Sequence, residues 1–228
     1  MTLHRHATLI STNDEARRLA DSGAPHGTVV QALQQTGGRG RRGRTWISPP
    51  GNLYASFVLR LVCPAIRHGE IGFVMALAVA DAVDAAAGHG CARLKWPNDV
   101  LLGGAKVAGV LVETSGSAIA GVGINIAHAP AGLAYPTTAL GLHGAADVDA
   151  TLQDLRTAVD RWWSVWDEAG FEPIRTAWLL RGPALGTGMT VTWGADRMAG
   201  HFDGLDETGA LMLMTPAGRM TITAGEVR

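Results

Sequence analysis

Between Gln35 and Trp46 the chain reads Gln-Thr-Gly-Gly-Arg-Gly-Arg-Arg-Gly-Arg-Thr-Trp, with four arginines and four glycines inside residues 37–44. Arginine offers a planar fork of donors that stays charged and meets carboxylate or phosphate oxygens two at a time. Glycine lets the backbone turn tightly and brings its N–H groups close to a ligand. The stretch fits a mobile loop that closes over an anion. It also fits a disordered arginine-glycine tract that binds RNA without specificity. What lies downstream separates the two.

Lys95-Trp96-Pro97-Asn98-Asp99 gathers a lysine, an amide and a carboxylate around one corner, because proline breaks the strand pattern there. Gly103-Gly104 supplies a tight turn, and Lys106 then opens the strand-like run Val107-Ala108-Gly109-Val110-Leu111-Val112-Glu113. A lysine at the mouth of an apolar strand either discourages edge pairing or reaches for an anion. Gly121-Val122-Gly123-Ile124-Asn125 completes the set. Its glycines mark a close approach of the backbone to a ligand or to a neighbouring strand.

These residues need elements to hold them. His6 to Ile10 reads as a short strand, and Thr12 with Glu15 has the spacing of a capping box for a helix from Asn13 to Asp21. Small polar side chains at such a helix start can also bond a compact ligand. Thr28 to Leu33 feeds the arginine loop, with Gln34 and Gln35 at its mouth. After the turn Ser48-Pro49-Pro50-Gly51-Asn52, residues Leu53 to Val62 read as an alternating strand. An alanine-rich helix runs from Glu70 to Ala87 and stops at Gly88. Ala118 to Ile126 is a further strand, and residues 127–149 read as loop. Helices follow at Thr151 to Ala169, whose tryptophans face a core, and at Glu172 to Leu180. From Gly188 the rhythm changes to short strands: Met189 to Trp193, Ala199 to Gly204, Ala210 to Met214 and Met220 to Thr223. That is the pattern of a small β-barrel with too little core to stand alone, so it should lean on the preceding residues. Residues 1–182 and 183–228 are the expected domains.

Composition agrees with a globular protein. Of 228 residues, 47% are apolar and 17% charged, and the net charge of −1 gives no overall field for nucleic acid. Positive charge is concentrated in the loop. The most apolar window, Ile71 to Ala80, is too short to cross a bilayer, and Met1 to Ser11 lacks the long apolar run of a secretory signal. Cys63 and Cys91, set in apolar sequence, read as buried thiols in a reducing compartment, and the expected location is the cytoplasm.

Gly38-Arg39-Gly40-Arg41-Arg42-Gly43-Arg44-Thr45-Trp46, Lys95 to Asp99, Lys106 to Glu113 and Gly121 to Asn125 occur in that order, preceded by Ser11-Thr12-Asn13 and followed by Gly225-Glu226. Together they resemble the biotin protein ligases over nearly the whole chain. The resemblance implies an α+β catalytic domain with a mixed sheet, related to class II aminoacyl-tRNA synthetases, and a C-terminal SH3-like barrel. It implies activation of biotin by MgATP to biotinyl-adenylate, then transfer to a lysine of a biotin carboxyl carrier domain of acetyl-CoA carboxylase or a related carboxylase. By the same resemblance Lys106, Arg41 and Arg39 are catalytic. Ser11, Thr12, Asn13, Gln35, Gly38, Arg39, Gly40, Arg41, Lys106, Gly109, Gly121 and Gly123 surround biotin. Arg39, Arg41, Arg44, Trp46, Lys95, Asn98, Asp99, Lys106 and Asn125 meet ATP or the adenylate, with Asp99 as a magnesium contact. Trp46 is expected to stack on adenine and Asn125 to hydrogen-bond it.

Three features depart from the family pattern. Gly37 replaces an expected alanine, and only seven residues, Thr114 to Ala120, link Glu113 to Gly121, which suggests a trimmed hairpin. Ten residues precede Ser11, too few for a winged helix-turn-helix, so no sequence-specific DNA binding is expected. A lipoate-protein ligase or octanoyltransferase shares the fold and the adenylate logic, and a nucleic-acid-binding module would use the basic loop alone. Dependence on biotin separates the first, and steep salt dependence without ATP the second. A monomer and a homodimer both remain open.

Overall fold

The computed structural model describes residues 2–61, 63–144, 146–194 and 196–227. Seven strands form the larger sheet: β1 (Leu3–Leu9), β2 (Thr28–Gln35), β3 (Leu53–Leu59), β4 (Ala92–Lys95), β5 (Asp99–Leu102), β6 (Ala105–Ser115) and β7 (Ser117–Ile124). Their order is β1-β2-β3-β7-β6-β5-β4. Only the β1–β2 pair is parallel, so the sheet is mixed. Both faces of its centre are covered. Helix α1 (Thr12–Asp21) packs Ala16 and Ala20 against Val30, Val58 and Ile119 on one side. Helix α2 (Ile71–Ala87) lies in the larger core cluster on the other, with α3 (Val148–Ala169) and α4 (Phe171–Arg181).

That double cover explains why β3 is buried at every residue rather than alternating as its sequence suggests. Helix α2 has twelve buried residues and stops at Gly88, whose φ of 106° suits glycine. The anticipated capping box does not form. Ser11 is the N-cap and makes no side-chain cap bond, while Thr12 lies inside the helix and Glu15 pairs with Arg18. The seven residues after Glu113 form the trimmed hairpin expected. Strands β6 and β7 pair down to Ser115 and Ser117, and Gly116 at φ 72° makes the turn. Cys63 is half-buried and Cys91 exposed, both free, so neither is the buried thiol expected.

Five strands make a second, antiparallel sheet: β8 (Gly188–Trp193), β9 (Asp196–Leu205), β10 (Leu211–Thr215), β11 (Gly218–Ile222) and β12 (Glu226–Val227). The order is β11-β10-β9-β8-β12. Val191, Phe202, Leu211 and Leu213 belong to the same core cluster as the larger sheet, which makes good the small module's lack of core. Trp96 Nε1 donates to the Gly209 carbonyl at 3.1 Å, and Arg175 Nη1 to the Leu205 carbonyl at 3.1 Å. A side chain at Gly209 would run into Phe73, so glycine is what lets that turn seat. Among the described residues no helix is long and apolar enough to cross a membrane.

Candidate active site

At the start of α1 the backbone N–H of Thr12 is one of the helix's free donors. It gives its proton to Gln35 Oε1 at 2.8 Å, and the Thr12 hydroxyl lies 3.1 Å from the same oxygen. Gln35 is the last residue of β2, so strand end and helix start are tied together. Gln35 Nε2 donates to Ser48 Oγ at 3.0 Å, and Ser48 to the Trp46 carbonyl at 2.8 Å. Asn13, only 5% exposed, donates through Nδ2 to Glu113 Oε2 at 2.7 Å. The buried Ser56 hydroxyl lies 2.6 Å from Asn13 Oδ1 and 2.8 Å from Thr12 Oγ1. A Cβ at Gly121 would collide with the Asn13 amide, so this glycine makes room for a side chain of its own protein.

The opposite end is cationic. The arginine loop folds as a narrow ribbon, with Gly40 N–H donating to the Arg44 carbonyl at 2.6 Å and Trp46 N–H to the Gly38 carbonyl at 2.9 Å. Arg42 sits in the left-handed region at φ 57°, ψ 34°, which costs about 1 kcal/mol for a residue with a side chain. Arg39 bonds both oxygens of Asp14, at 2.9 and 2.6 Å, which raises its pKa, and stands 3.6 Å from Glu113. Arg44 pairs with Glu226 of β12 at 2.7 Å, and Arg42 lies 3.8 Å from the same carboxylate. Half-buried Arg41 has its pKa lowered by desolvation and by repulsion from Arg42, and its Nη1 donates to Asn98 Oδ1 at 3.3 Å.

Lys106 stands between the two ends. Strand β6 is internal to the sheet, so this lysine protects no edge. Its Nζ is 2.5 Å from Asp99 Oδ1, with side-chain exposures of 12% and 20%. The ammonium also lies 5.3 Å from the Trp46 ring and 5.5 Å from the Tyr135 ring, within cation–π range of both. Its backbone pairs with the segment that carries Tyr135: Lys106 N–H donates to the Pro136 carbonyl, and Thr138 N–H to the Lys106 carbonyl. Lys95 faces Asp99 across the β4–β5 hairpin. Asn98 is stitched to β6, its Nδ2 donating to the Val110 carbonyl at 2.7 Å.

These groups line one cavity of about 450 Å³. Ser11, Thr12, Asn13 and Gln35 face it from the amide end, and Arg39, Gly40, Arg41 and Arg44 from the loop. Lys95, Asn98, Asp99, Lys106, Gly109, Gly121, Gly123, Asn125 and Trp46 form the rest of the predicted set present. Gly38 is outside it. A Cβ there would strike the Trp46 carbonyl and Ser48 Oγ, so its part is to let the loop ribbon close. Trp46 lies flat against the sheet, where a Cβ at Gly123 would meet its indole, and Asn125 gives its amide proton to the Thr138 carbonyl at 3.0 Å.

Sequence reasoning missed Leu133, Tyr135 and Thr137, which lay in the stretch read as loop, and gave no role to Glu226 and Val227. The chain has only two tyrosines, and one of them beside Pro136 in a polar connection was the signal available. Chemically, the cavity joins a neutral end able to read a small polar ring to a cationic end able to hold phosphate. A lysine stands where two anions would meet.

Residues 8–128 match the model of the biotin/lipoate A/B protein ligase family. Over 232 residues the chain is 45% identical to the biotin--[acetyl-CoA-carboxylase] ligase of Paracoccus denitrificans, covering 95% of this chain and 96% of that one. This chain belongs to the biotin protein ligase family. It is 32% identical to the bifunctional ligase/repressor BirA of Bacillus subtilis, over 97% of this chain and 72% of that protein. The biotin protein ligase of Aquifex aeolicus in complex with biotin and ATP superposes with a TM-score of 0.86 at 29% identity, covering 100% of this chain and 97% of that one. Membership makes the protein an enzyme of the biotin–protein ligase class. It accounts for both ends of the cavity together, which neither an RNA-binding tract nor an edge lysine would.

Proposed function

We propose that the protein condenses the carboxylate of biotin with the α-phosphate of ATP and passes the biotinyl group to a lysine of a biotin carboxyl carrier domain. The observation that carries this reading is the single cavity, neutral at one end and cationic at the other, with Lys106 at their junction. In the first step a biotin carboxylate oxygen attacks the α-phosphorus. The bond to the bridging oxygen breaks, and pyrophosphate leaves with the electron pair. In the second, the acceptor amine attacks the acyl carbon, AMP leaves, and the amine loses a proton.

The chain's residues divide this work. Thr12, Asn13 and Gln35 suit the ureido ring, and Ser11 and Gly40 flank it. Lys106 leaves Asp99 to bridge the carboxylate and the α-phosphate, both of which are anions that repel without it. Arg39 and Arg41 cover the reacting atoms, while Arg44 and Lys95 hold phosphate. Trp46 and Tyr135 flank the nucleotide beside Asn125. Magnesium bound with the phosphates would offset their charge. Asp99, lining the same cavity as Asn98, would hold it, since such an ion takes one or two carboxylates from a protein when phosphates supply the rest. Residues 1–182 act as the catalytic unit and 183–228 as a lid-side module, because Glu226 and Val227 reach the cavity from it.

Mass spectrometry of a carrier domain incubated with the protein, MgATP and either biotin or lipoate tests the proposal. The expected result is a single biotinyl addition on one lysine and none with lipoate. No addition with biotin, or preferential use of lipoate, overturns it.

A further inference from the structure

Glu113 closes the β6 run and touches no reacting atom, yet the geometry gives it control over what the amide end of the cavity can recognise. The orientations of both amides there are forced. A carboxylate only accepts, so Asn13 must turn Nδ2 toward Glu113, at 2.7 Å, and Oδ1 toward Ser56. A backbone N–H only donates, so Gln35 must turn Oε1 toward Thr12. Between these fixed points run three close oxygen–oxygen contacts: Asn13 Oδ1 to Ser56 at 2.6 Å, Ser56 to Thr12 at 2.8 Å, and Thr12 to Gln35 Oε1 at 3.1 Å. Only two hydroxyl protons, those of Ser56 and Thr12, are there to fill them. The array is one proton short, so one of its contacts is two oxygens facing each other with no hydrogen between them, a repulsion that a ligand N–H donor relieves.

We propose that Glu113 is a positioning residue that sets this polarity, so that the array selects a ligand ring carrying N–H donors, the cyclic urea of biotin. The inference rests on the biotin reading above and names the residue that makes it specific. With glutamine at 113, Asn13 is free to turn over and donate to Ser56. The deficit then vanishes, and with it the preference for N–H. The Arg39 contact at 3.6 Å is a separate and weaker role of the same carboxylate, since Arg39 is already held by Asp14.

Steady-state pyrophosphate release is to be measured with biotin and with an isosteric cyclic carbonate analogue in which ring oxygen replaces each N–H. For Glu113→Gln the KM for biotin should rise about tenfold with kcat within about twofold, while the KM for the carbonate stays level, so selectivity falls about tenfold. Glu113→Asp, which still only accepts, should keep the wild-type selectivity. So should Asp14→Asn, which disturbs Arg39 alone. If Glu113→Gln does not fold, the swap Asn13→Asp with Glu113→Gln restores a donor–acceptor pair in reverse and keeps an acceptor inward, and it too should retain selectivity. Unaltered selectivity in folded Glu113→Gln, equal loss in Glu113→Asp, or loss in the swap would overturn the inference. A wild-type protein that releases no pyrophosphate with biotin would instead overturn the reading on which it rests.

Discussion

The two ends of the cavity are held by different forces. At the amide end Asn13, Ser56 and Thr12 are nearly fully buried, and their positions are fixed by short hydrogen bonds that tie α1 to β2, β3 and β6. At the cationic end the arginines are held by carboxylates of the protein itself, in pairs whose side chains are between about a quarter and a half exposed, and Arg42 keeps an unfavourable backbone angle. Exposed pairs of this kind contribute at most about 1 kcal/mol each and weaken with salt. The amide end is therefore built before any ligand arrives. The cationic end is provisionally neutralised, and an incoming phosphate can displace Asp14 and Glu226 as counter-ion. The contrast suits an order in which the neutral ring is recognised first and the loop settles afterwards.

The largest break in this scheme comes at the junction. Lys106→Ala removes the lysine that touches both Asp99 and the aromatic pair Trp46 and Tyr135. Adenylate formation should fall by about two orders of magnitude, on the order of 3 kcal/mol, with biotin affinity changed far less. Single-turnover pyrophosphate release beside calorimetric biotin titration reads both quantities. Equal loss in the two would place Lys106 at the amide end rather than between the ends.

A smaller effect sharpens the cationic side. Glu226→Gln withdraws the charge that engages Arg44 and Arg42 from the second sheet. Trypsin cleavage within residues 39–44 of the ligand-free protein should rise severalfold, up to about fivefold for the roughly 1 kcal/mol such a pair supplies. Biotin with ATP should suppress cleavage in both forms. Identical cleavage rates without ligand would show that Glu226 does not hold the loop.

How much of this was legible in the sequence follows from where the physical cause lay. The termination of α2 at Gly88, the Gly103-Gly104 turn and the corner at Pro97 were readable because their causes are local. The capping box failed because Thr12 has a better partner in Gln35, brought in by β2. The burial of β3 on both faces was hidden for the same reason: its covering helices are distant in sequence. Gly121 and Gly123 show the limit most clearly. Their spacing announced a close approach, but only folding reveals that Asn13 and Trp46 make it. Tyr135 went unread because a single aromatic in a connection has no period, and its value comes from the pairing of that segment with Lys106.

The smallest expected effect asks whether the second sheet must be seated for the cationic end to form. Asp206 Oδ1 accepts from the N–H and hydroxyl of Thr208 and from the N–H of Ala210, all between 2.8 and 2.9 Å. It thereby shapes the turn whose Gly209 carbonyl takes the Trp96 proton. Burial pushes the Asp206 carboxyl up, but these hydrogen bonds outweigh it and hold the pKa below its ordinary 3.8. Because the folded form releases its proton more readily than the unfolded chain, the stabilisation is complete above pH 4 and fades as the pH falls through the lowered value. Asp206→Ala should lower Tm by about 2–4 °C at neutral pH, the equivalent of about 1 kcal/mol in a chain of this size, with wild type and variant converging below pH 4. At neutral pH the variant should also show faster loop cleavage with unchanged biotin affinity, since only the end that depends on Glu226 feels the looser sheet. A parallel loss of biotin affinity would mean that the two ends are mechanically one.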